Sequence, residues 1–199
     1  MEATPVTSPA FPASELVEIV TGHVPGDGRE ASSKERFLVE LGRLPDPCDE
    51  TADPVHVTAS AVVVGRRGTV MLLHRRLGRW MQPGGHLNPG EAPWNAALRE
   101  AGEETGLPVG HPPGGPLLLG LDVHDAALGH THLDLRYLLV GTDTDPAPGP
   151  GESPAVRWCS FDEAAELADQ ALAGSLASAR RLWSEQGASW LLEAAPEAR

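Results

Sequence analysis

Residues 85–107 read GHLNPGEAPWNAALREAGEETGL, a segment with four carboxylates, one arginine and four glycines. Three of the acids, Glu100, Glu103 and Glu104, lie within five residues of one another. In an α-helix successive residues turn by about 100°, so Glu100 and Glu104 would lie one turn apart with Glu103 beside them. Because like charges on one short helical face repel each other, this pattern indicates a site for a hard divalent cation such as Mg²⁺.

The opposite face of the same segment predicts an amphipathic helix. Apolar residues recur at i, i+3, i+4 and i+7, namely Trp94, Ala97, Leu98 and Ala101. Pro93 suits the first helical position, and Gly106 suits the position that follows the last turn. Turn residues precede the helix at 83–85 and 88–90. We therefore expect a glycine-rich loop that leads directly into a helix.

These residues resemble the Nudix box, written G-x5-E-x7-R-E-U-x-E-E-x-G-U, where U is a bulky aliphatic residue. Every fixed position is filled here, and one departure is Ala101, which is small for its position. Flanking similarity covers about residues 55–185, and HVTASAVVV, LGRWMQPGGH, DVH and HxDLRYLL resemble a bacterial subgroup of Nudix hydrolases with a helical N-terminal extension. The resemblance implies an α/β protein, a Nudix-type α/β/α sandwich around a mixed β-sheet, with a small helical N-terminal extension.

The whole sequence is predicted to divide into three parts: a helical extension and linker at 1–53, the Nudix hydrolase domain at 54–190 and a tail at 191–199. In the extension we expect a helix capped by Ser14 and a second from Lys34, capped by Ser32 or Ser33. Strands are predicted at 56–64, 69–74, 117–123, 133–140 and 156–160. Two further helices are predicted at 161–168 and 171–186, after a proline- and glycine-rich loop at 143–154.

The resemblance implies the chemistry of the site. Expected ligands of one to three Mg²⁺ or Mn²⁺ ions are Glu100, Glu103, Glu104 and the backbone carbonyl of Gly85. Arg99 is better placed to pair with Glu91 and support these ligands than to touch substrate. The general base is Glu103 or Glu152, a loop acid before a predicted strand, and the sequence does not choose between them. Glu152 is equally consistent with a solvated loop residue.

Substrate-binding candidates lie outside the box. Arg75, Arg76 and Arg79 follow a strand and could bind phosphates, with Trp80 stacking on a base. The alternative is a solvated basic turn beside a core tryptophan. Arg136 lies on a strand, where a structural salt bridge is as consistent with the pattern as substrate contact.

Histidines are frequent on and near the predicted strands and in the loop of the box: His56, His74, His86, His124, His130 and His132. A histidine–carboxylate site for a transition metal is one interpretation. No HxxxH or HExxH spacing supports it, so core or hydrogen-bonded histidines are the simpler interpretation. Cys48 and Cys159 are far apart and predict reduced thiols rather than a disulfide framework or a zinc knuckle.

Composition limits the partners. With 28 acids against 15 bases and a net charge of −13 over 199 residues, the surface disfavours broad binding to nucleic acids or membranes. No apolar run approaches the length of a membrane span, and residues 1–15 lack the pattern of a signal peptide, so we expect a cytoplasmic protein. Apolar residues near the C-terminus, Leu182, Trp183, Trp190 and Leu191, could form a homodimer contact or cover the sheet.

Three functions are compatible with the sequence. The leading hypothesis is a metal-dependent pyrophosphohydrolase that cleaves a phosphoanhydride bond in a small nucleoside diphosphate derivative, such as a nucleoside triphosphate or a nucleotide sugar. The alternative is a catalytically silent regulatory module that binds a nucleotide metabolite. Such a module would be expected to lose carboxylates of the box, and none is lost here. A purely structural acidic helix would need the glutamates, glycines and arginine to coincide by accident.

Overall fold

A computed structural model describes residues 10–193, with side chains described through residue 186. The described residues contain five α-helices and eight strands. In order they are α1 (Ala13–Gly22), α2 (Gly28–Leu41), β1 (Val55–Gly65), β2 (Gly68–His74), β3 (Arg79–Met81), β4 (Gly84–His86), α3 (Pro93–Thr105), β5 (Val109–Gly110), β6 (Leu117–Asp125), β7 (Thr131–Gly141), β8 (Val156–Cys159), α4 (Phe161–Leu167) and α5 (Gln170–Glu193). Among these residues no helix combines the length and apolar character needed to cross a membrane.

The strands form one mixed sheet centred on β1 and β7, which run parallel over ten residue pairs from Val55↔Thr131 to Val64↔Val140. The remaining pairs are antiparallel: β2 with β1, β3 and β8, β4 with β1, and β5 and β6 with β7. β1 and β7 are nearly all buried, as expected for strands at the centre of a covered sheet. The predicted mixed sheet is confirmed.

Helices cover both faces of this sheet. Because successive strand residues point to opposite faces, Val57, Ala59, Ala61 and Val63 pack on one side with α1, α2 and α3. Val62 and Val64 pack on the other side with α4 and α5. This arrangement confirms the α/β/α sandwich, and the N-terminal helices belong to the same core through Leu16, Val20 and Phe37.

The second face of the sheet is apolar only under α4 and α5. Towards the other end of β1 and β7 it carries polar residues, which we call the polar half-face: His56, Thr58 and Ser60 of β1, and His132, Asp134 and Arg136 of β7. Each residue of the first set is the register partner of one in the second. The pairing of two distant strands therefore assembles a polar patch inside the protein.

The starts of both N-terminal helices differ from the prediction. α1 begins at Ala13, and its cap position is Pro12 rather than Ser14. α2 begins at Gly28, six residues before Lys34, because the Asp27 carboxylate accepts the amide of Glu30 at 2.8 Å. Ser32, predicted as a cap, instead donates its hydroxyl to the Gly28 carbonyl from within the helix.

The predicted strands are present with small shifts at their ends, but β3, β4 and β5 were not predicted. These strands have only three, three and two residues, which is too short for a periodic pattern. β4 matters most, because its pairing with β1 places Gly85 opposite Ala59 and His86 opposite Thr58. The side chains of Trp190 and Leu191, named as a possible dimer contact, and the tail from residue 194 lie outside the described residues.

Candidate metal-binding active site

Helix α3 presents the clustered carboxylates at the edge of the sheet. Its buried side is made of alanines, Ala96, Ala97 and Ala101, which pack against the core. Small side chains allow a helix to lie close to a sheet, which gives a physical reason for Ala101 where the motif usually has a bulky residue. The helix ends at Thr105, and the next residue, Gly106, has a left-handed φ of 66° and donates its amide to the Gly102 carbonyl.

The double glycine of β4 lies directly against these carboxylates. The amide of Gly84 donates to the carboxylate of Glu104 at 2.9 Å. A Cβ placed on Gly85 would lie 2.7 Å from the carboxyl carbon of Glu100 and 2.8 Å from both its oxygens. Any side chain at Gly85 would therefore displace the Glu100 carboxylate. The backbone of β4 and the carboxylates of α3 therefore approach each other closely.

Arg99 is fixed by the surrounding acids. Its guanidinium donates to Glu91 at 2.9–3.3 Å, to Glu100 at 2.6 Å and to Glu103 at 3.2 Å. A further bond reaches the carbonyl of His86 at 2.8 Å. These bonds link the helix, the loop that carries Glu91 and the end of β4. Arg99 thus holds the geometry that its predicted supporting role requires.

The electrostatics of the cluster resemble those of a cation site. Burial raises the pKa of Glu104 to about 7, and the charges of Glu100, Glu152 and Glu103 add to the shift, although the Gly84 amide opposes it. Burial likewise raises the pKa of Glu100, against the effect of Arg99. Deprotonating both groups inside the cluster therefore costs free energy that a bound cation would offset. The atoms available to bind a metal ion here are carboxylate and carbonyl oxygens, which suit Mg²⁺ or Mn²⁺.

Glu152 lies on the long loop between β7 and β8. It is half-buried, and it is close enough for its charge to contribute to the raised pKa of Glu104. The same loop packs on the end of α3, where the amide of Ala147 donates to the Thr105 carbonyl at 2.9 Å. The loop that carries Glu152 therefore lies against the end of α3, and Glu152 as general base stays a prediction.

The predicted phosphate-binding arginines lie in the exposed turn between β2 and β3 and at the start of β3. Arg75, Arg76 and Arg79 are all exposed, and Arg75 donates to the Gly151 carbonyl at 2.9 Å. That bond ties the turn to the residue before Glu152. The turn and the loop that carries Glu152 are therefore neighbours, although among the described residues no hydrogen bond or ion pair joins these arginines to the box glutamates.

Trp80 is half-buried and packs on the apolar core of the second face. The guanidinium of Arg157, on β8, lies 4.9 Å from the centre of its ring. This cation–π contact covers one face of the Trp80 ring. Arg157 was not a candidate in the sequence, because its position beside Trp80 depends on β2 pairing with both β3 and β8.

Arg136 is only 2% exposed and belongs to an internal network. Its guanidinium donates to Asp134 at 3.3 Å, to Ser60 at 3.3 Å and to Ser175 at 3.1 Å. The Asp134 carboxylate also accepts the Ser60 hydroxyl at 2.6 Å. The structural salt bridge considered for Arg136 is therefore present, and its donors are directed away from solvent. We leave Arg136 out of the proposed substrate-binding set.

The structure also brings five of the candidate histidines together, in what we call the histidine cluster: His56, His86, His124, His130 and His132. Adjacent rings lie 5.1–5.4 Å apart between centres. His74 is not part of it and accepts the amide of Leu77 through Nδ1. The sequence showed these histidines on neighbouring strands but not that their rings meet.

Comparison with known proteins identifies similar proteins of the NUDIX family. The family model described as NUDIX domain matches residues 54–180. The chain is 34% identical over 130 residues to the isopentenyl-diphosphate Delta-isomerase of Streptomyces griseus, covering 58% of this chain and 61% of that one. It is 31% identical over 101 residues to the asymmetrical bis(5'-nucleosyl)-tetraphosphatase of Caenorhabditis elegans, covering 49% and 70%. A crystal structure of a NUDIX family hydrolase from Clostridium perfringens superposes with a TM-score of 0.54 at 26% identity, covering 66% and 98%.

Proposed function

The chain belongs to the NUDIX domain family, whose model matches more than half of it, and from this membership we propose that it is a metal-dependent pyrophosphohydrolase. Its substrate is a small nucleoside diphosphate derivative in which a phosphoanhydride bond is cleaved. The two curated relatives act, by their names, on a diphosphate and on a dinucleoside tetraphosphate. Both of these compounds contain linked phosphates. This supports a phosphoanhydride bond as the target more strongly than it supports any one substrate.

One observation carries the proposal: the carboxylates of Glu100 and Glu104 converge on the Gly84–Gly85 backbone at a point where no side chain fits. A divalent cation held there supplies charge neutralisation for phosphoryl oxygens and lowers the pKa of a water molecule. Glu100, Glu103, Glu104 and the Gly85 carbonyl are its proposed ligands. Arg99 orients Glu100 and Glu103 through the bonds described above.

The proton of the attacking water requires an acceptor near this point. Glu103 is more exposed than its neighbours, but it is paired with Arg99 at 3.2 Å. Glu152 is the other candidate and lies on a loop that can adjust to substrate. We propose that one of these two carboxylates is the general base, and that the exposed turn with Arg75, Arg76 and Arg79 binds the distal phosphates.

The test is product analysis of the purified protein with Mg²⁺ or Mn²⁺ on nucleoside triphosphates, dinucleoside polyphosphates, nucleotide sugars and isopentenyl diphosphate. Turnover in the wild type should fall at least about 100-fold in Glu104→Gln and in Glu103→Gln. Glu166→Gln is the matched control, because Glu166 is an exposed glutamate of α4 away from the site. Equal turnover in wild type and Glu104→Gln would contradict the proposal.

Two other functions give distinct results in the same experiment. The isomerase likeness predicts that isopentenyl diphosphate changes its double bond without release of phosphate. A regulatory module that only binds nucleotides predicts tight binding with no product from any compound. All the carboxylates of the box are retained and assembled around one point, which supports catalysis over a silent module.

A further inference from the structure

Three histidines of the cluster come from three strands that meet in register. His56 of β1 is the register partner of His132 of β7, and His86 of β4 lies opposite Thr58, two residues from His56. Directly paired residues of neighbouring strands point to the same face, so all three rings project onto the polar half-face. Their meeting is fixed by the backbone of the sheet and not by flexible loops.

One ring nitrogen from each of these histidines lies within 4.8 Å of the other two. Three imidazoles around Zn²⁺ at about 2.0–2.1 Å would have their nitrogens roughly 3.3 Å apart. His86 and His132 are half-buried, so side-chain rotation can close this difference, whereas His56 is fully buried and fixed. The site therefore needs movement of two rings by about an ångström and no change of the backbone.

His56 carries an unsatisfied nitrogen at the centre of the cluster. Its side chain is 0% exposed, and Nε2 has no hydrogen-bond partner among the described residues. The other nitrogen, Nδ1, contacts the backbone carbonyl of Asp53 at 3.2 Å. Buried polar atoms nearly always have a partner, and a ligating histidine usually bonds a backbone carbonyl through its second nitrogen. His56 shows both features.

From this geometry we propose that His56, His86 and His132 bind one divalent transition-metal ion of the Zn²⁺ type. Three imidazoles favour such ions over Mg²⁺, which prefers oxygen. Glu50, from the linker before β1, has its carboxylate 3.3 Å from Nε2 of His86 and supplies an acidic neighbour or fourth ligand.

This site is distinct from the carboxylate site although β4 serves both. Gly85 faces α3 and Glu100, and the next residue, His86, points to the opposite face of the sheet. The carbonyl of His86 is held by Arg99 from the carboxylate side. A metal ion bound by the histidines would therefore fix the end of β4, which also supports the carboxylate site. It would also tie the linker residue Glu50 to the sheet.

The simpler explanation is a group of packed neutral imidazoles without any metal. The two flanking rings fit that explanation, because His124 bonds the Asp122 carboxylate at 3.0 Å and the ring of His130 packs edge-on against that of His56. Packing alone, however, leaves the buried nitrogen of His56 without a partner. That nitrogen is the reason for placing the ion between His56, His86 and His132 and not elsewhere in the cluster.

The test uses protein freed of metal by a chelator and titrated with Co²⁺ and Zn²⁺ in excess Mg²⁺, which occupies oxygen ligands. Visible absorption of Co²⁺ reports nitrogen coordination, and calorimetry gives the Zn²⁺ stoichiometry. We expect one ion per chain in the wild type, in Glu104→Gln and in His74→Asn, which removes a histidine outside the cluster. His86→Asn and His132→Asn should each weaken binding by more than about 100-fold.

Unfolding temperatures measured with and without Zn²⁺ exclude a trivial loss of structure. The metal-free variants His86→Asn and His132→Asn should unfold cooperatively, and Zn²⁺ should raise the unfolding temperature of the wild type but not theirs. In wild-type protein, Co²⁺ should shift the NMR signals of the three histidines whatever the variants do. Unshifted histidine signals, wild-type binding in both variants, or loss of binding in Glu104→Gln would each overturn the proposal.

Discussion

At the scale of single residues, the neighbours Gly84 and Gly85 are needed for different physical reasons. A Cβ on Gly84 would lie 2.6 Å from the Cα of Ser60, which is backbone in the centre of the sheet. A Cβ on Gly85 would instead meet the end of the Glu100 side chain, which can move aside. One glycine therefore protects the fold, and the other protects the arrangement of the carboxylates.

We predict that Gly85→Ala lowers turnover about 100-fold, because displacing a catalytic group by about 1 Å can cost that much. Its free energy of unfolding should stay within about 1 kcal/mol of the wild type, since only a side-chain end must move. Gly84→Ala should instead lose about 2 kcal/mol or more of stability through the backbone clash. Urea unfolding and turnover measured on both variants check the contrast, and an active Gly85→Ala would refute it.

A second residue-scale prediction concerns Asp122, which is buried on β6. Burial favours its protonated form, but hydrogen bonds from His124 and Arg29 and the charge of Arg136 outweigh this and lower its pKa. A carboxyl whose pKa is lower in the folded state contributes stability above its unfolded value of about 3.9, and this is lost as the pH falls below it.

Asp122→Asn should therefore destabilise the protein by roughly 1–3 kcal/mol at pH 7. The difference from the wild type should shrink as the pH falls from about 5 towards 3. Urea unfolding as a function of pH measures both effects. A constant difference across that range would show that the Asp122 charge does not contribute to folding.

At the scale of elements, α3 shows what local sequence can specify. Its proline start, glycine end and apolar side were readable because each depends on residues a few positions apart, although Ala96 is buried and the predicted Trp94 and Leu98 only partly so. The start of α2 was misread because Asp27 and Ser32 are both acceptable caps, and only the longer helix brings Glu30 to the amide of Leu121 on β6. Tertiary contact chose between two locally equivalent starts.

The end of α3 supplies an element-scale prediction. Gly106 has a φ of 66°, and a Cβ there would collide with the carbonyl of Ala147 on the loop that carries Glu152. Gly106→Ala should therefore lose more than about 2 kcal/mol of stability and reduce turnover through that loop. Gly102→Ala is the matched control inside the same helix. It meets nothing within 4 Å and should gain about 0.5–1 kcal/mol.

Thermal and urea unfolding of Gly106→Ala and Gly102→Ala measure whether their stabilities change in opposite directions. Equal stability of Gly106→Ala and Gly102→Ala would show that the loop does not depend on the helix end.

At the scale of the whole molecule, the two proposed sites differ in how far they could be predicted. The carboxylate site was predictable, because Glu91, Arg99, Glu100, Glu103 and Glu104 lie on one loop and one helix. The polar half-face and the histidine cluster were not, because they depend on β1 pairing with β7. Thr58 and Asp134, which bond there, are 76 residues apart. No local pattern encodes that register.

Hydrolysis at the carboxylates of α3 can be tested by Mg²⁺-dependent turnover in ¹⁸O-labelled water, with the wild type measured beside Glu104→Gln. We predict that one ¹⁸O atom enters a phosphate-bearing product of the wild type and that turnover collapses in the variant. A chelator should stop the reaction, and added Mg²⁺ should restore it. Product without ¹⁸O, or equal turnover in Glu104→Gln, would contradict a hydrolase built on the carboxylates of α3.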